Sequence, residues 1–199
     1  MNTQTSYFKK ALVVLMAVMM VFTMMPGMAW AEKQPTSGVD DNIAWSLNSE
    51  GTLTISKKAN ATDGTMNNYP YSLKVPWTKA SKDNNIPIKV VIINDGVTSI
   101  GAYAFSGATQ MQSIHIPESV TSIGKKAFEK SALTEITLPC SPATTALSNL
   151  LALEKVAFYD SVTVIEDSAV SYCKSLKEVS LPASLQEISP TAFNGCESN

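Results

Sequence analysis

The chain has 199 residues, of which 45% are apolar and only 16% charged, which excludes a disordered acidic or basic tail protein. All 15 basic residues are lysine and the net charge is −2, so the arginine fork used by nucleic-acid and phosphate readers is missing. A single histidine, His115, excludes a His-rich metal site or a histidine pair.

The first segment reads as an address. Lys9 and Lys10 close a short basic start, residues 11–25 are an apolar run broken only by one threonine, and Pro26-Gly27 leads to Ala29-Trp30-Ala31. This is the three-part layout of a secretory signal peptide over residues 1–31, with cleavage expected after Ala31. A membrane span needs about 20 apolar residues, which this run reaches only by counting through Pro26-Gly27. Removal takes away two lysines and no acids, leaving a mildly acidic chain of net charge −4. No basic patch remains to hold it on anionic lipid or nucleic acid, so no membrane partner is expected after cleavage.

Residues 32–88 read as a β-rich capping region. Residues 32–38 are expected to be disordered. Ile43, Trp45 and Leu47 alternate, Asn48-Ser49-Glu50-Gly51 supplies a turn, and Leu53 and Ile55 alternate again, which is a hairpin signal. Residues 57–88 are rich in Asn, Lys, Thr, Asp and Pro and read as loop, with Tyr69, Tyr71 and Trp77 expected to pack down. The region's expected task is to cover the open end of the first coil formed by residues 89 onward.

From residue 89 the chain repeats itself. Val97-Thr98-Ser99-Ile100-Gly101 and Ala104-Phe105 return 23 residues later as Val120-Thr121-Ser122-Ile123-Gly124 and Ala127-Phe128. Alternating pairs recur as Val91/Ile93, Ile114/Ile116, Ile136/Leu138, Val156/Phe158 and Val179/Leu181. Val162, Ile165, Ala169 and Val170 echo the block, as do Leu185, Ile188, Ala192 and Phe193. One such unit cannot bury its apolar face alone, whereas stacked units share a continuous core, so the period implies a solenoid. Each pair predicts a short strand, with successive strands pairing in parallel on one face. The block after each pair predicts a turn in which Gly101 and Gly124 supply a backbone angle denied to other residues. The third unit is short: residues 140–145 lack the block, predicting a tightened loop, a local bend at 139–147, or a helical stretch over 146–155.

The segments SIHIPESVTSIGKKAF and EVSLPASLQEISPTAFNGC resemble the BspA-type leucine-rich repeats of bacterial surface and secreted proteins. The resemblance covers about 89–199 in about five units, the third degenerate and the last incomplete. It implies a right-handed α/β-type superhelix of mostly short parallel strands, with turns and short helical segments. WSLNSEGTLTIS, with Pro76-Trp77 further on, is similar to the segment that precedes such repeats. The last unit stops where its next strand is due, which reads either as a truncated or shortened gene product, the favoured form, or as a ragged coil exposed to a partner. The resemblance also implies an exported surface or matrix protein used in adhesion, in binding a host or bacterial surface or matrix protein, or in cell–cell contact; the residues offer no enzyme site.

The candidate partner face is the outward side of the strands. One column holds Val90, Ser113, Glu135, Lys155 and Glu178, and the next Ile92, His115, Thr137, Ala157 and Ser180, with Tyr159 beside them as the one aromatic candidate. A spacing near 4.8 Å places His115 within reach of Glu135. No activated serine, nucleophile elbow or metal-loop spacing accompanies them, so no catalytic, cofactor or metal site is expected. Cys173 and Cys196 share a repeat position and read either as small apolar fillers or as a bridge between coils, with the filler favoured. Cys140 reads as a free surface or half-buried thiol. Asn60-Ala61-Thr62 matches a glycosylation sequon, more simply a coincidence of composition. The rival reading is a spacer or repeat module of a longer surface protein or enzyme whose functional domain lies beyond residue 199.

Overall fold

A computed structural model of the full chain describes residues 34–196. The expected signal peptide over 1–31 lies outside the described residues. The described residues belong to one compact unit.

The chain enters through β1 (Thr36–Asp40), which pairs antiparallel with β2 (Ile43–Leu47), and β2 turns into β3 (Thr52–Lys57), also antiparallel. Residues 36–38, expected to be disordered, are thus strand. The β2–β3 turn forms because the Asn48 side-chain oxygen accepts the amides of Glu50 and Thr52, at 3.1 and 2.8 Å, an Asx-type turn. Alternation then buries Ile43, Trp45, Leu47, Leu53 and Ile55 on one face.

The stretch read as loop contains a 3-10 turn, Ser72–Lys74, and helix α1, Pro76–Asp83. Polar composition hid the helix. Its start is fixed by Pro76, whose ring pre-sets the helical backbone angle in the first turn. At its end the Asn84 side chain donates to Ala80 O at 2.9 Å. The helix exists to insert Trp77, which is fully buried and donates from Nε1 to Ala104 O at 2.8 Å. Tyr69 packs edge-on against that indole at 5.7 Å, but Tyr71, expected to pack down as well, is exposed.

Two strand-bearing faces then build the solenoid. The wide face carries β4 (Val90–Ile93), β6 (Ser113–His115), β8 (Glu135–Leu138), β9 (Lys155–Phe158) and β11 (Glu178–Ser180). The narrow face carries β5 (Ser99–Ile100), β7 (Ser122–Ile123), β10 (Val164–Ile165) and β12 (Glu187–Ile188). The block expected to be only a turn therefore contributes a second strand. Pairing between coils is parallel, as expected. The remaining sides of the coils are turns: among the described residues both helical elements lie before β4.

Each ladder breaks once. The wide face splits into β1-β2-β3-β4-β6 and β8-β9-β11, so the expected unbroken stack of strands is interrupted between β6 and β8. The break comes after a shortened turn, for Met111 stands six positions after Phe105 but Leu133 only five after Phe128. The narrow face splits into β5-β7 and β10-β12, at the degenerate third unit. There Pro142 stands at the register position of Ile123 and Ile165, and a proline has no amide to donate to a ladder. The coil holds on by other means. Ala143 N donates to Ile123 O at 2.9 Å, and Ser141 Oγ accepts the amide of Glu166 at 2.9 Å. The tightened loop is the form realised; residues 144–149 and 151–152 are turns and 155–158 a strand, so the helical alternative is not.

The glycine reading needs correction. Left-handed backbone recurs in every coil, but elsewhere: Tyr103, Lys126, Thr145 and Ser168 at one position (φ 60, 55, 71 and 56°), and Gly107, Lys130, Asn149, Tyr172 and Gly195 at another (φ 75, 60, 60, 58 and 74°). Gly101 and Gly124 are required by crowding. A Cβ on Gly101 would lie 1.7 Å from Asn67 O, and one on Gly124 would lie 2.6 Å from Ala102 N.

Inside the coils runs one continuous core. Ala104, Phe105, Ala127, Phe128, Ala146, Leu147, Ala169, Val170 and Ala192 plug the side opposite the strands. Phe105 and Phe128 stack at 5.8 Å and 9°, and Trp77 joins the row at 5.9 Å from Phe105. Trp77, from the segment before the repeats, thereby becomes the first rung of the aromatic row.

Candidate functional site

The outward columns inferred from sequence are the registers of the wide face. Val90 lies beside Ser113, and Ile92 beside His115. Glu135, Lys155 and Glu178 succeed one another, as do Thr137, Ala157 and Ser180. Ser113, His115, Glu135, Thr137, Glu178 and Ser180 are exposed, while Val90, Ile92, Lys155, Ala157 and Tyr159 are half-buried. The face also extends further than the repeats suggest. Strand β3 pairs in parallel with β4, placing Thr52 beside Val90 and Thr54 beside Ile92. The outward threonines of Thr52-Leu53-Thr54-Ile55 carried that signal, since Leu53 and Ile55 alternate just as Val91 and Ile93 do.

Charge on this face is compensated locally. Lys155 Nζ lies 2.7 Å from Glu178 Oε1, and Lys177 Nζ lies 2.8 Å from Glu154 Oε1. The hydrogen bond from Lys155, then its charge, holds the Glu178 carboxyl below its ordinary range; the same bond raises Lys155. Ser180 Oγ adds a second donor to Glu178 at 3.4 Å. These pairs are solvated and contribute little to stability, but they leave the surface with alternating signs rather than one dominant charge.

Two sequence expectations change here. No ion pair or hydrogen bond joins His115 to Glu135 among the described residues, because β6 and β8 share no ladder and the assumed strand spacing does not apply across the break. In its place lies a small cleft of about 150 Å³ lined by Ser113, Ile114, Glu135, Thr137, Lys155 and Ala157. Tyr159 is also less free than its position suggested. Its hydroxyl donates to Ile116 O at 3.2 Å, reaching past β8 to tie the two halves of the wide face together.

The cysteines are free thiols. Cys173 is buried, and loss of hydration pushes its thiol up to about 12, with Cys196 adding to the shift; burial likewise pushes Cys140 up to about 11. Neither has the lowered value of a reactive nucleophile. Among the described residues no cluster of three His, Cys, Asp or Glu side chains is placed to hold a metal ion. No described helix is long and apolar enough to cross a membrane.

Parallel short strands recurring on one face, turns on the others and a shared core define a leucine-rich-repeat solenoid. The model of the BspA type leucine-rich repeat region, in six copies, matches residues 83–199, and the chain belongs to that family. Its copies outnumber by one the five strands from β4 to β11 on the wide face. Solved structures similar to this chain include a leucine-rich repeat protein from Eubacterium ventriosum, 18% identical, covering 82% of this chain and 64% of its own, with a TM-score of 0.43. A leucine rich cell surface protein from Faecalibacterium prausnitzii is 22% identical over 81% of this chain and 52% of its own, TM-score 0.44. A leucine-rich repeat protein from T. pallidum is 17% identical over 77% and 86%, TM-score 0.44. The chain thus spans 64% and 52% of the length of the first two. No curated protein matches it significantly.

Proposed function

We propose that this chain is an exported, non-enzymatic repeat protein that binds another protein at the bacterial cell surface or in the surrounding matrix through its wide strand face. The observation that carries this reading is the division of labour along each strand. Inward residues such as Val91, Ile136 and Val156 are buried, while the outward columns carry side chains that the core does not need. Such a surface is free to be shaped for a partner, and extended solenoid faces bind by area rather than by a pocket. Because Lys155 and Lys177 on this face are paired with Glu178 and Glu154, the partner is recognised by shape and polar contact, and binding should weaken only modestly between low and physiological salt. The export signal in residues 1–31 completes the reading, with a mature chain starting at Glu32.

The test is a binding screen of the mature chain against immobilised purified matrix and cell-surface proteins. Variants His115→Arg and Thr137→Arg, on either side of the break, should weaken the interaction found by at least about tenfold. The melting temperature should stay unchanged, because both side chains are exposed. Undiminished binding by both variants would remove this face from the account.

A further inference from the structure

The last two coils place two thiols in one register. Val170 N donates to Ala192 O at 2.8 Å and Tyr172 N to Asn194 O at 2.9 Å, so segment 170–173 lies on segment 193–196, residue upon residue. Cys173 therefore stacks on Cys196, at a position that Ala108, Ser131 and Leu150 fill in earlier coils. Neighbouring strands lie about 4.8 Å apart, inside the Cα separation that a disulfide spans. Both thiols point toward the preceding coil: Cys196 Sγ lies 3.1 Å from Val170 O, in the coil that holds Cys173, and Cys173 Sγ 3.5 Å from Leu147 O, in the coil beyond, so closing a bridge requires the Cys173 side chain to turn about χ1 toward Cys196. Cys196 is near enough to contribute to raising the Cys173 thiol.

We propose that Cys173 and Cys196 form a disulfide in an oxidising milieu and staple the last described coil to its neighbour. The oxidant is a low-molecular-weight disulfide. Cys196, the less buried thiol, loses its proton and attacks one sulfur of that disulfide, releasing one small thiolate. The Cys173 thiolate then attacks Sγ of Cys196, displacing the second. Two protein thiols are oxidised, one small disulfide is reduced to two thiols, and the protons leave with them. Burial raises both thiols and so disfavours the thiolate, which makes closure slow and starts it from the half-buried side. The staple has a target: Leu181 and Ile188 are 49% and 41% exposed, so the last coil has the weakest hold on the core. Cys140 takes no part, lying in the irregular third unit.

The full chain, reduced and then incubated with oxidised glutathione, is denatured, alkylated and mapped by mass spectrometry. The expected product links the Cys173 and Cys196 peptides and leaves Cys140 as the one alkylated thiol. Its melting temperature should lie about 5 °C above that of the reduced chain. Cys173→Ala and Cys196→Ala should each abolish both changes, and Cys140→Ala neither. Three alkylated thiols, a stable glutathione adduct on Cys196, or a bridge to Cys140 would overturn the pairing. A correct bridge without a rise in melting temperature would overturn the stapling role.

Discussion

Ile100 and Ile188 occupy the same register position in their coils, yet the first is buried and the second is 41% exposed. The contrast runs through the whole unit. In the first coil Val91, Val97, Ala104 and Phe105 are buried; in the last, Val179, Leu185 and Phe193 are only partly covered. Sequence pattern is nearly identical in the two. What differs is the neighbour: the first coil lies between α1 with β3 on one side and a full coil on the other, and the last has one described neighbour. Burial in a solenoid is thus a property of the stack, supplied by adjacent coils rather than by the coil's own residues.

Removing large side chains from the well-covered coils should have the greatest effect. Phe105→Ala or Phe128→Ala should cost about 3–5 kcal/mol in denaturant unfolding, since each leaves a cavity in the aromatic row. Phe193→Ala in the last coil should cost no more than about 1 kcal/mol. A similar loss in both would break the comparison. Alkali offers a second lever. The folded-state thiol of Cys173 is raised from its ordinary 9.0 to about 12, so between these values the unfolded chain gives up a proton that the folded chain retains. With reductant present, stability should therefore fall as pH rises above about 9. The fall should be shallower in Cys173→Ala. The smallest effect expected is a gain. Lys130 is exposed and holds a left-handed backbone that Gly107 and Gly195 supply at the same position in other coils. Lys130→Gly should raise stability by up to about 1 kcal/mol, read as a shift of the unfolding midpoint.

Much of this fold was legible because repetition fixes register. Ile100 with Ile123, and Val91 with Ile114, are paired as their 23-residue offset required. The outward columns were readable for the same reason. The breaks were not, because they turn on single residues: Pro142 replaces an isoleucine and removes a donor, and one missing turn residue before Leu133 parts β8 from β6. Helix α1 was hidden by polar composition, and its role depends on Trp77 reaching a carbonyl in a coil 27 residues away. Tyr159 looked like a free aromatic because strand alternation says nothing of a hydroxyl reaching across two coils. The glycines were misread since sequence marks where Gly is needed without saying whether the cause is angle or crowding.

The most direct test of the stacked-coil account compares one truncation at two equivalent positions, Ile165→Ala and Ile188→Ala, by equilibrium unfolding in denaturant. The residues pair with each other across β10 and β12, but only Ile165 is enclosed on both sides. The account predicts a loss of about 2–5 kcal/mol for Ile165→Ala and less than about 1 kcal/mol for Ile188→Ala. Equal losses at the two positions would contradict it.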